Sequence, residues 1–326
     1  MIGRNFAIAA AVFALAVVPY AIREPYYVNV ASQILLYAIF ALGLNILVGY
    51  AGLVSLGHAG LFGVASYAVA SLLAAGFGHT VAIVAALVIG LTFTAGFAAL
   101  ALRATGISFI MITLALGEIL WGLAYRWISV TNGDNGINVS GRPKPFGIAL
   151  TSANAFYEAT LVIFLVAVAG AAIFIHSPFG ATLCGTRDQP RRMNALGYHV
   201  WMIRFGAFMF SGLLTSIAGI LFVYYNEFIS PQTLALTASA EALLMVISGG
   251  AGTLLGPIVG AALVVIIKNV VSAYVVRWNF MLGAIFVAIV IFMPEGLVPG
   301  AARLFRSAVR TMRKSKPAAP VVERPS

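Results

Sequence analysis

The histidines and acidic residues are the side chains whose types could support catalysis or metal binding. The 326-residue chain has four histidines and nine aspartates and glutamates. The histidines are scattered at positions 58, 79, 176 and 199, and none of them forms HxxxH or HExxH spacing. The acids include no DxxD pair, and there is no GxSxG motif, P-loop or dinucleotide-binding fingerprint. The sequence therefore favours a protein that is not an enzyme, holds no metal and does not hydrolyse ATP itself.

The composition is that of a membrane protein. Hydrophobic residues make up 62% of the chain and charged residues 9%, with a mean hydropathy of +1.02. Soluble domains average about 45–50% apolar and about 25% charged residues. The net charge of +10 is therefore attributed to basic cytoplasmic loops and not to nucleic-acid binding. The single cysteine, Cys184, excludes a disulfide framework and a cysteine-based metal site.

Three ionisable residues, Glu118, Glu241 and Lys268, fall inside apolar segments. A charge at the centre of a bilayer costs about 2.5–3.5 kcal/mol on insertion scales, so each must face the protein interior, meet a partner or be neutral. We hypothesise that Glu241 and Lys268 pair near the outer ends of neighbouring helices. Glu118 either lines a pathway or packs between helices, and the sequence favours neither.

The elements that position these residues are apolar segments of about 20 residues, the length that a spanning helix needs. The ten candidates are 6–22, 28–49, 53–75, 80–102, 106–126, 156–176, 202–224, 238–250, 257–275 and 280–298. The first also has features of a signal peptide, although the many spans that follow favour a transmembrane helix. The eighth is short and ends in glycines, so it is expected to be broken. The predicted fold is an all-α integral membrane bundle of about ten helices, within a range of eight to ten.

The basic residues orient this bundle. With the N-terminus inside, 13 of the 19 lysines and arginines fall on the cytoplasmic side, as the positive-inside rule requires. Both termini are then cytoplasmic. Residues 1–302 are predicted to form the transmembrane domain, with a periplasmic loop at 127–155 and a cytoplasmic loop at 177–201. Residues 303–326 are predicted to form a basic cytoplasmic tail.

A glycine-rich stretch, GYAGLVSLGHAGLFG, runs from Gly49 to Gly63 between two apolar segments. Gly49 and Gly52 precede the next helix and favour a turn or break. The later glycines fall on one helix side, which is typical of close helix packing. Ser55 is expected to satisfy a freed backbone group at the new helix start. His58 is expected to be buried and hydrogen-bonded, with substrate contact or a proton-sensitive role as the alternatives.

A similar stretch, SGGAGTLLGPIVGAA, occupies 248–262 and hints at an internal duplication. Interrupted helices of this kind are what a transporter needs, because freed backbone groups can meet a polar solute inside the protein. A small, partly polar solute is therefore predicted. The candidates for translocation and gating are Asn45, Gly49, Gly52, Ser55, His58, Glu118, Glu241, Gly249, Gly250 and Gly252.

Several stretches resemble the permeases of branched-chain amino acid ABC importers. They are LGLNILVGYAGLVSLGHAGLFGVASY (42–67), LRATGISFIMITLALGEIL (102–120), TNGDNGI (131–137), SPFGATLCGTRDQPRRMNALGYHVWMIRFGAFMFSG (177–212) and SAEALLMVISGGAGTLLGPIVGA (239–261). They occur in the family's order and look like the Liv-M type, the second of two paired permeases.

The resemblance implies a permease subunit in a bacterial inner membrane that imports branched-chain or other hydrophobic amino acids. It also implies four kinds of partner: a second permease, two ATPase subunits, a periplasmic binding protein and the substrate. No cofactor is expected in this chain, since ATP is hydrolysed by the partner subunits. Related permeases that carry urea, amides or aromatic acids leave the substrate open. A stand-alone secondary transporter or channel is the alternative class.

The same resemblance implies that the 177–201 loop couples to the ATPase. Pro190 fits the first turn of a short helix, Asp188 could cap it and Gly197 could end it. Met193 and Leu196 would share one side and insert into a partner's groove. A basic loop resting on lipid headgroups is the alternative. The coupling candidates are Arg187, Asp188, Met193, Ala195, Leu196 and Gly197. The sequence Gln189-Pro190-Arg191-Arg192 departs from the family pattern, which leaves the matching ATPase undefined.

Overall fold

A computed structural model describes residues 24–139, 152–274, 278–293, 295–300 and 303 of the chain. Within these ranges the protein is almost entirely helical, which confirms the predicted fold class. The main helices are α1 (Pro25–Asn45, continued by a π-helical turn, Ile46–Ala51), α2 (His58–Ala74), α3 (His79–Ala101), α4 (Ile107–Arg126), α5 (Ala153–His176), α6 (Pro178–Asp188), α7 (Pro190–Ala195), α8 (Val200–Asn226), α9 (Leu236–Gly249), α10 (Gly256–Tyr274) and α11 (Trp278–Phe292). The first predicted span, 6–22, and the tail beyond residue 303 lie outside the described residues.

Five of these helices are long and apolar enough to cross a membrane. They are α1 with its π turn, α3, α4, α5 and α8. Three further apolar helices, α2, α9 and α10 up to Val270, are shorter. The second to tenth predicted spans all coincide with described helices. The largest error at a helix start is at 53–75, because residues 53–57 are not helical and α2 begins only at His58.

Helix α1 is the centre of the bundle. Its apolar window is 78% buried, against 33% for α3, 22% for α4 and 28% for α5. It packs against α5, α8, α9 and α10, and its side chains from Leu35 to Leu47 are buried, apart from the half-buried Tyr37. A helix that is apolar on all sides must be buried in protein or lipid. The protein buries α1, and α3, α4 and α5 keep apolar faces for a surrounding membrane.

The two ends of the bundle differ in charge. At one end, which we call the basic end, α6 and α7 connect α5 to α8, and the arginines at positions 187, 191, 192 and 204 lie on these helices or at the start of α8. Arg103 lies at the same end, on the connection between α3 and α4. At the opposite end the charged residues described are acidic except for Arg126. They are the acidic residues at positions 24, 134, 158 and 227.

Ordered turns cover the opposite end. A helical turn, Ile128–Thr131, is followed by a 3-10 turn, Gly133–Asn135, and by strand β1, Ile137–Asn138. Strand β1 pairs antiparallel with β2, Phe228–Ile229. These turns occupy the first part of the predicted 127–155 loop, and residues 140–151 lie outside the described residues.

Candidate functional site

Two helix interruptions lie near the basic end. Helix α1 ends in a π turn, and Gly52 leaves it in the left-handed conformation, with φ of 69°. Residues 53–57 are then non-helical until α2 begins. A second interruption separates α9 from α10, where Gly250 and Gly252 have φ of 117° and 79°. Because L-residues avoid this region, glycine is required at these turns. The predicted broken helices are confirmed in both glycine-rich stretches.

The two interruptions are hydrogen-bonded to each other through Asn45. Its Oδ1 accepts from the backbone N–H of Gly252 at 2.9 Å, and its Nδ2 donates to the carbonyl of Thr253 at 2.9 Å. A side chain on Gly49 would collide with the backbone of Gly252. We call this contact, formed by Asn45, Gly49, Gly252 and Thr253, the glycine clasp. It joins two stretches that are about 200 residues apart in the sequence, and the buried amide of Asn45 has both of its ends satisfied.

Arg187 joins the glycine clasp to α6. Its Nη1 donates to the carbonyl of Gly49 at 2.7 Å, and its Nε donates to Asp188 Oδ1 at 2.8 Å. A Cβ on Gly52 would lie 2.6 Å from Cγ of Arg187. The hydrogen bond to Asp188 raises the pKa of the guanidinium, so Arg187 stays cationic. A candidate from the predicted coupling loop thus directly contacts a candidate from the predicted gate.

Arg204 fixes the other side of α6. Its Nη2 donates to the carbonyl of Thr186 at 2.7 Å, at the C-terminal end of α6. A cation at a helix C-terminus is favoured by the helix dipole and by the carbonyls left without a partner there. Nothing in the sequence around Arg204 indicates this contact.

The short helix α7 confirms most of the predicted loop structure. It begins at Pro190, and Gly197 follows it with φ of 89°. Tyr198 N–H donates to the Met193 carbonyl and Gly197 N–H to the Asn194 carbonyl, which is the Schellman ending of a helix. The predicted cap was wrong, because Asp188 belongs to α6 and binds Arg187 while Gln189 precedes α7 without a side-chain cap.

Of the two apolar residues assigned to partner contact, only Leu196 is exposed. It is 65% exposed, whereas the Met193 sulfur packs against Gly185 of α6. Tyr198 and Met202 are also exposed, at 45% and 63%, and Ala195 is exposed on α7. The basic end therefore presents apolar side chains next to arginines.

His58 is fully buried and hydrogen-bonded on both sides. Its Nε2 lies 2.9 Å from Ser211 Oγ, and its Nδ1 lies 3.0 Å from Ser55 Oγ. Ser211 Oγ donates to the Gly43 carbonyl at 2.6 Å, so this hydroxyl must accept from Nε2–H. Nδ1 then accepts from Ser55. This confirms the prediction that His58 is a buried, hydrogen-bonded histidine, and it connects α2 to α8.

The predicted role of Ser55 as a helix cap was wrong, because its hydroxyl is used by His58. Gly57 precedes α2 without a side-chain cap. The Ala59 N–H instead donates to Ser239 Oγ of α9 at 3.0 Å. The sequence missed both Ser211 and Ser239. Their hydroxyls inside apolar segments were the signal, since such groups must bond within the protein.

We expect His58→Ala to lower the melting temperature of the solubilised protein. The substitution leaves the Ser55 and Ser211 hydroxyls short of a partner and should cost roughly 1–3 kcal/mol. His176→Ala is the matched control, because His176 is exposed at the end of α5. Equal melting temperatures for the two variants in a thermal-shift assay would contradict the structural role.

The later glycines of the first stretch support packing. A Cβ on Gly57 would collide with Thr113 of α4, and one on Gly63 would collide with Leu234. Gly117 of α4 packs directly against Gly57. These contacts confirm the packing interpretation.

Glu118 takes no part in the glycine clasp. It is exposed on α4, the least buried of the five long helices. Within this chain it therefore does not pack between helices, and a role in lining the transport pathway stays a prediction.

Glu241 and Lys268 form the hypothesised pair, with Nζ 3.2 Å from Oε2. They line a cavity of about 200 Å³. Its wall includes Tyr37 of α1 and the phenyl rings of Phe40, Phe62 and Phe222. Glu241 is eight residues before Gly249 on α9. At 1.5 Å per residue, the cavity lies about 12 Å from the second helix interruption, towards the opposite end.

We expect Lys268→Ala to destabilise the bundle by roughly 1–3 kcal/mol, because it leaves a half-buried carboxylate without its partner. The double variant Lys268→Ala/Glu241→Gln should recover part of this loss. Thermal unfolding of the two single variants and the double variant measures the coupling. Strictly additive losses would show that the contact contributes nothing to stability.

A comparison with known proteins finds a family whose sequences align with most of the chain. The model of the family described as "branched-chain amino acid transport system / permease component" matches residues 26–290. The chain is 29% identical over 298 residues to the high-affinity branched-chain amino acid transport system permease protein LivM of Escherichia coli K12, covering 83% of this chain and 70% of that protein. It is 28% identical to LivM of Salmonella typhimurium, covering 88% and 74%.

A more distant likeness covers part of the chain. The autoinducer 2 import system permease protein LsrC of Yersinia enterocolitica is 33% identical over 139 residues, or 40% of this chain and 39% of that protein. No solved structure matches the chain.

Proposed function

Because the chain belongs to the branched-chain amino acid transport system permease family, we propose that it is the membrane permease subunit of an ABC importer for branched-chain or other hydrophobic amino acids. The substrate class comes from the names of the LivM relatives, which align over most of the chain. The observation that carries the mechanism is the hydrogen bond from Arg187 to Gly49, which connects a cytoplasmic helix to an interrupted transmembrane helix.

The partners follow from this role. We propose that a second permease completes the pathway, that two ATPase subunits bind the basic end and that a periplasmic protein delivers substrate to the opposite end. The positive-inside rule supports a cytoplasmic basic end in the bacterial inner membrane, with both termini on that side. In this assignment residues 1–302 form the transmembrane domain and 303–326 the cytoplasmic tail. The ATPase partners hydrolyse ATP, and this chain needs no cofactor.

The α6–α7 connection is the proposed docking element for the ATPase. The exposed Leu196 and Tyr198, with Met202 at the start of α8, offer apolar anchors, and Arg191 and Arg192 add positive charge beside them. Such apolar anchors with a polar rim are the usual content of a protein interface. Arg187 and Asp188 lie at the end of α6, directly before α7.

Motion of α6 reaches the pathway through the glycine clasp. A displacement of α6 moves the guanidinium of Arg187, which holds the carbonyl of Gly49. Gly49 and Asn45 hold the turn between α9 and α10. We propose that the clasp is the inner gate, closed in this conformation, and that ATP-driven movement of α6 separates α1 from this turn. Alternating access at interrupted helices is a general transporter design.

The first test is a mild-detergent pull-down of the tagged protein from its native membrane, followed by mass spectrometry. We expect a second permease and ATPase subunits to be recovered together with this chain. Reconstitution with the binding protein should then give ATP-dependent uptake of radiolabelled leucine into liposomes. Recovery of this chain alone, with transport that needs no ATP, would overturn the importer assignment in favour of a stand-alone transporter or channel.

A further inference from the structure

We propose that the cavity around Glu241 and Lys268 is a binding site for the zwitterionic head and the apolar side chain of an α-amino acid. The inference rests on the proposed function and adds to it a substrate site inside the permease itself. It makes this chain a participant in substrate selection, together with the separate binding protein.

The charged part of the site is a fixed pair of opposite charges. Lys268 Nζ and Glu241 Oε2 are 3.2 Å apart, and their side chains are 34% and 20% exposed. Asn269, the residue after Lys268, donates to Gln33 Oε1 of α1 at 2.9 Å and holds α10 in place. The two charges therefore come from rigid helices and remain accessible from the cavity.

A zwitterion matches this pair without adding net charge. Its carboxylate can take hydrogen bonds from Lys268, and its ammonium group can donate to Glu241. The pair is neutral before binding and the complex is neutral afterwards. A carboxylate anion would leave one negative charge uncompensated in a medium of low dielectric, and an amine would leave one positive charge. A neutral amide or urea offers no charge to either residue.

The apolar part of the site is an aromatic wall beside the charges. The rings of Phe40 and Phe62 have centroids 4.7 Å apart, and those of Phe62 and Phe222 are 5.2 Å apart. Ala238, Ala242 and Met245 of α9 complete this apolar lining. A volume of about 200 Å³ is below the ~300–1,000 Å³ of pockets for drug-sized ligands and indicates a small solute. Charges on one side and phenyl rings beside them fit an aliphatic amino acid.

The position of the cavity fits a solute in transit. Gln232 and Thr233 form part of its lining, and they belong to a second 3-10 turn at the opposite end, Pro231–Leu234. The glycine clasp lies on the other side, towards the basic end. A solute in the cavity would therefore lie between the delivery side and the closed gate.

Direct binding of tritiated L-leucine to the purified, nucleotide-free importer without its binding protein tests this site. We expect saturable binding that unlabelled leucine competes. The analogues 4-methylpentanoate, which lacks the ammonium group, and 3-methylbutylamine, which lacks the carboxylate, should each compete at least roughly tenfold more weakly, because each loses one charged hydrogen bond. This comparison uses the unaltered protein and does not depend on any variant folding.

The variant Glu241→Lys/Lys268→Glu separates binding from structure. The swap keeps an ion pair but reverses its direction relative to the aromatic wall, so leucine binding should fall at least roughly tenfold while the melting temperature changes little. The matched control swaps Arg303 and Glu295, an exposed pair 3.1 Å apart at the basic end, and should bind leucine normally.

The results of these experiments separate a failure of the proposed site from a failure of the proposed function. If the wild-type importer takes up leucine with its binding protein but binds none in the cavity, or if the swapped variant binds leucine normally, the site is overturned and the proposed function stands. If the importer takes up no leucine at all, the proposed function falls and this site with it.

Discussion

Replacing Gly52 with leucine is expected to reduce substrate uptake roughly 10–100-fold without reducing the amount of protein in the membrane. Gly52 is left-handed, with φ of 69°, and a Cβ there would lie 2.6 Å from Cγ of Arg187. The larger side chain pushes Arg187 away from the Gly49 carbonyl. A hydrogen bond from a charged donor contributes about 1.5–3 kcal/mol, and each 1.4 kcal/mol is a factor of ten in rate or equilibrium.

The control for this experiment is Gly106→Leu. Gly106 also has a positive φ, of 62°, here with ψ of −132°, but nothing lies within 4 Å of its Cβ position. Gly106→Leu carries at least as much backbone strain as Gly52→Leu, since its φ and ψ lie outside the left-handed helical region that Gly52 occupies, and only Gly52→Leu displaces Arg187. Uptake of radiolabelled leucine, normalised to membrane protein by immunoblot, separates the two effects. Normal uptake by Gly52→Leu, or an equal loss in both variants, would contradict the role of this contact in the gate.

Replacing Arg187 with glutamine is expected to uncouple ATP hydrolysis from transport. The variant removes the charged donor between α6 and the Gly49 carbonyl but leaves the exposed docking surface intact. ATP should still be hydrolysed, while the number of ATP molecules used per leucine taken up rises roughly tenfold or more. Arg187→Lys should be intermediate, because lysine keeps the charge but lacks the planar fork that reaches Gly49 and Asp188 together.

The ratio of ATP hydrolysed to leucine transported is the decisive readout, measured on the reconstituted importer. A purely structural role for Arg187 would lower both activities in parallel and leave this ratio unchanged, which would contradict a role in coupling. Arg103→Gln serves as the control, because Arg103 is an exposed arginine of the connection between α3 and α4 at the same end. It should leave the ratio unchanged.

The helices could be predicted because each is an apolar run of about the right length. The breaks could be predicted because Gly49, Gly52, Gly250 and Gly252 stand where helix-forming residues would otherwise continue. The end of α7 followed from Gly197 for the same reason. These features depend on local residue types, which a single sequence displays directly.

The two wrong predictions of helix caps have one physical cause, because in each case another group in the fold binds the side chain that was expected to cap the helix. Asp188 does not cap α7 because the adjacent Arg187 binds its carboxylate. Ser55 does not cap α2 because its hydroxyl donates to Nδ1 of the buried His58. Ser239 of α9 instead accepts a hydrogen bond from the Ala59 N–H at the start of α2. Local spacing shows which groups need a hydrogen bond, but the fold decides which group provides it.

The glycine clasp shows the same limit. Asn45 was among the predicted translocation and gating candidates, but nothing near it in the sequence indicates that its amide would bind Gly252 and Thr253. The similarity of the two glycine-rich stretches indicated that both were interrupted helices. It did not indicate that they would contact each other, and the internal duplication stays a prediction.

The shortness of α9 has a consequence for biosynthesis. At 14 residues it is about 21 Å long, less than the ~30 Å of a bilayer's hydrocarbon core. Its carboxylate, Glu241, is paired with Lys268 on the following helix. Helix α9 is not a favourable membrane segment alone, so it should enter the bilayer from the translocon together with α10, as one hairpin. Chains truncated between them and tagged with a glycosylation reporter should leave α9 uninserted, and stable insertion of α9 alone would contradict this order of assembly.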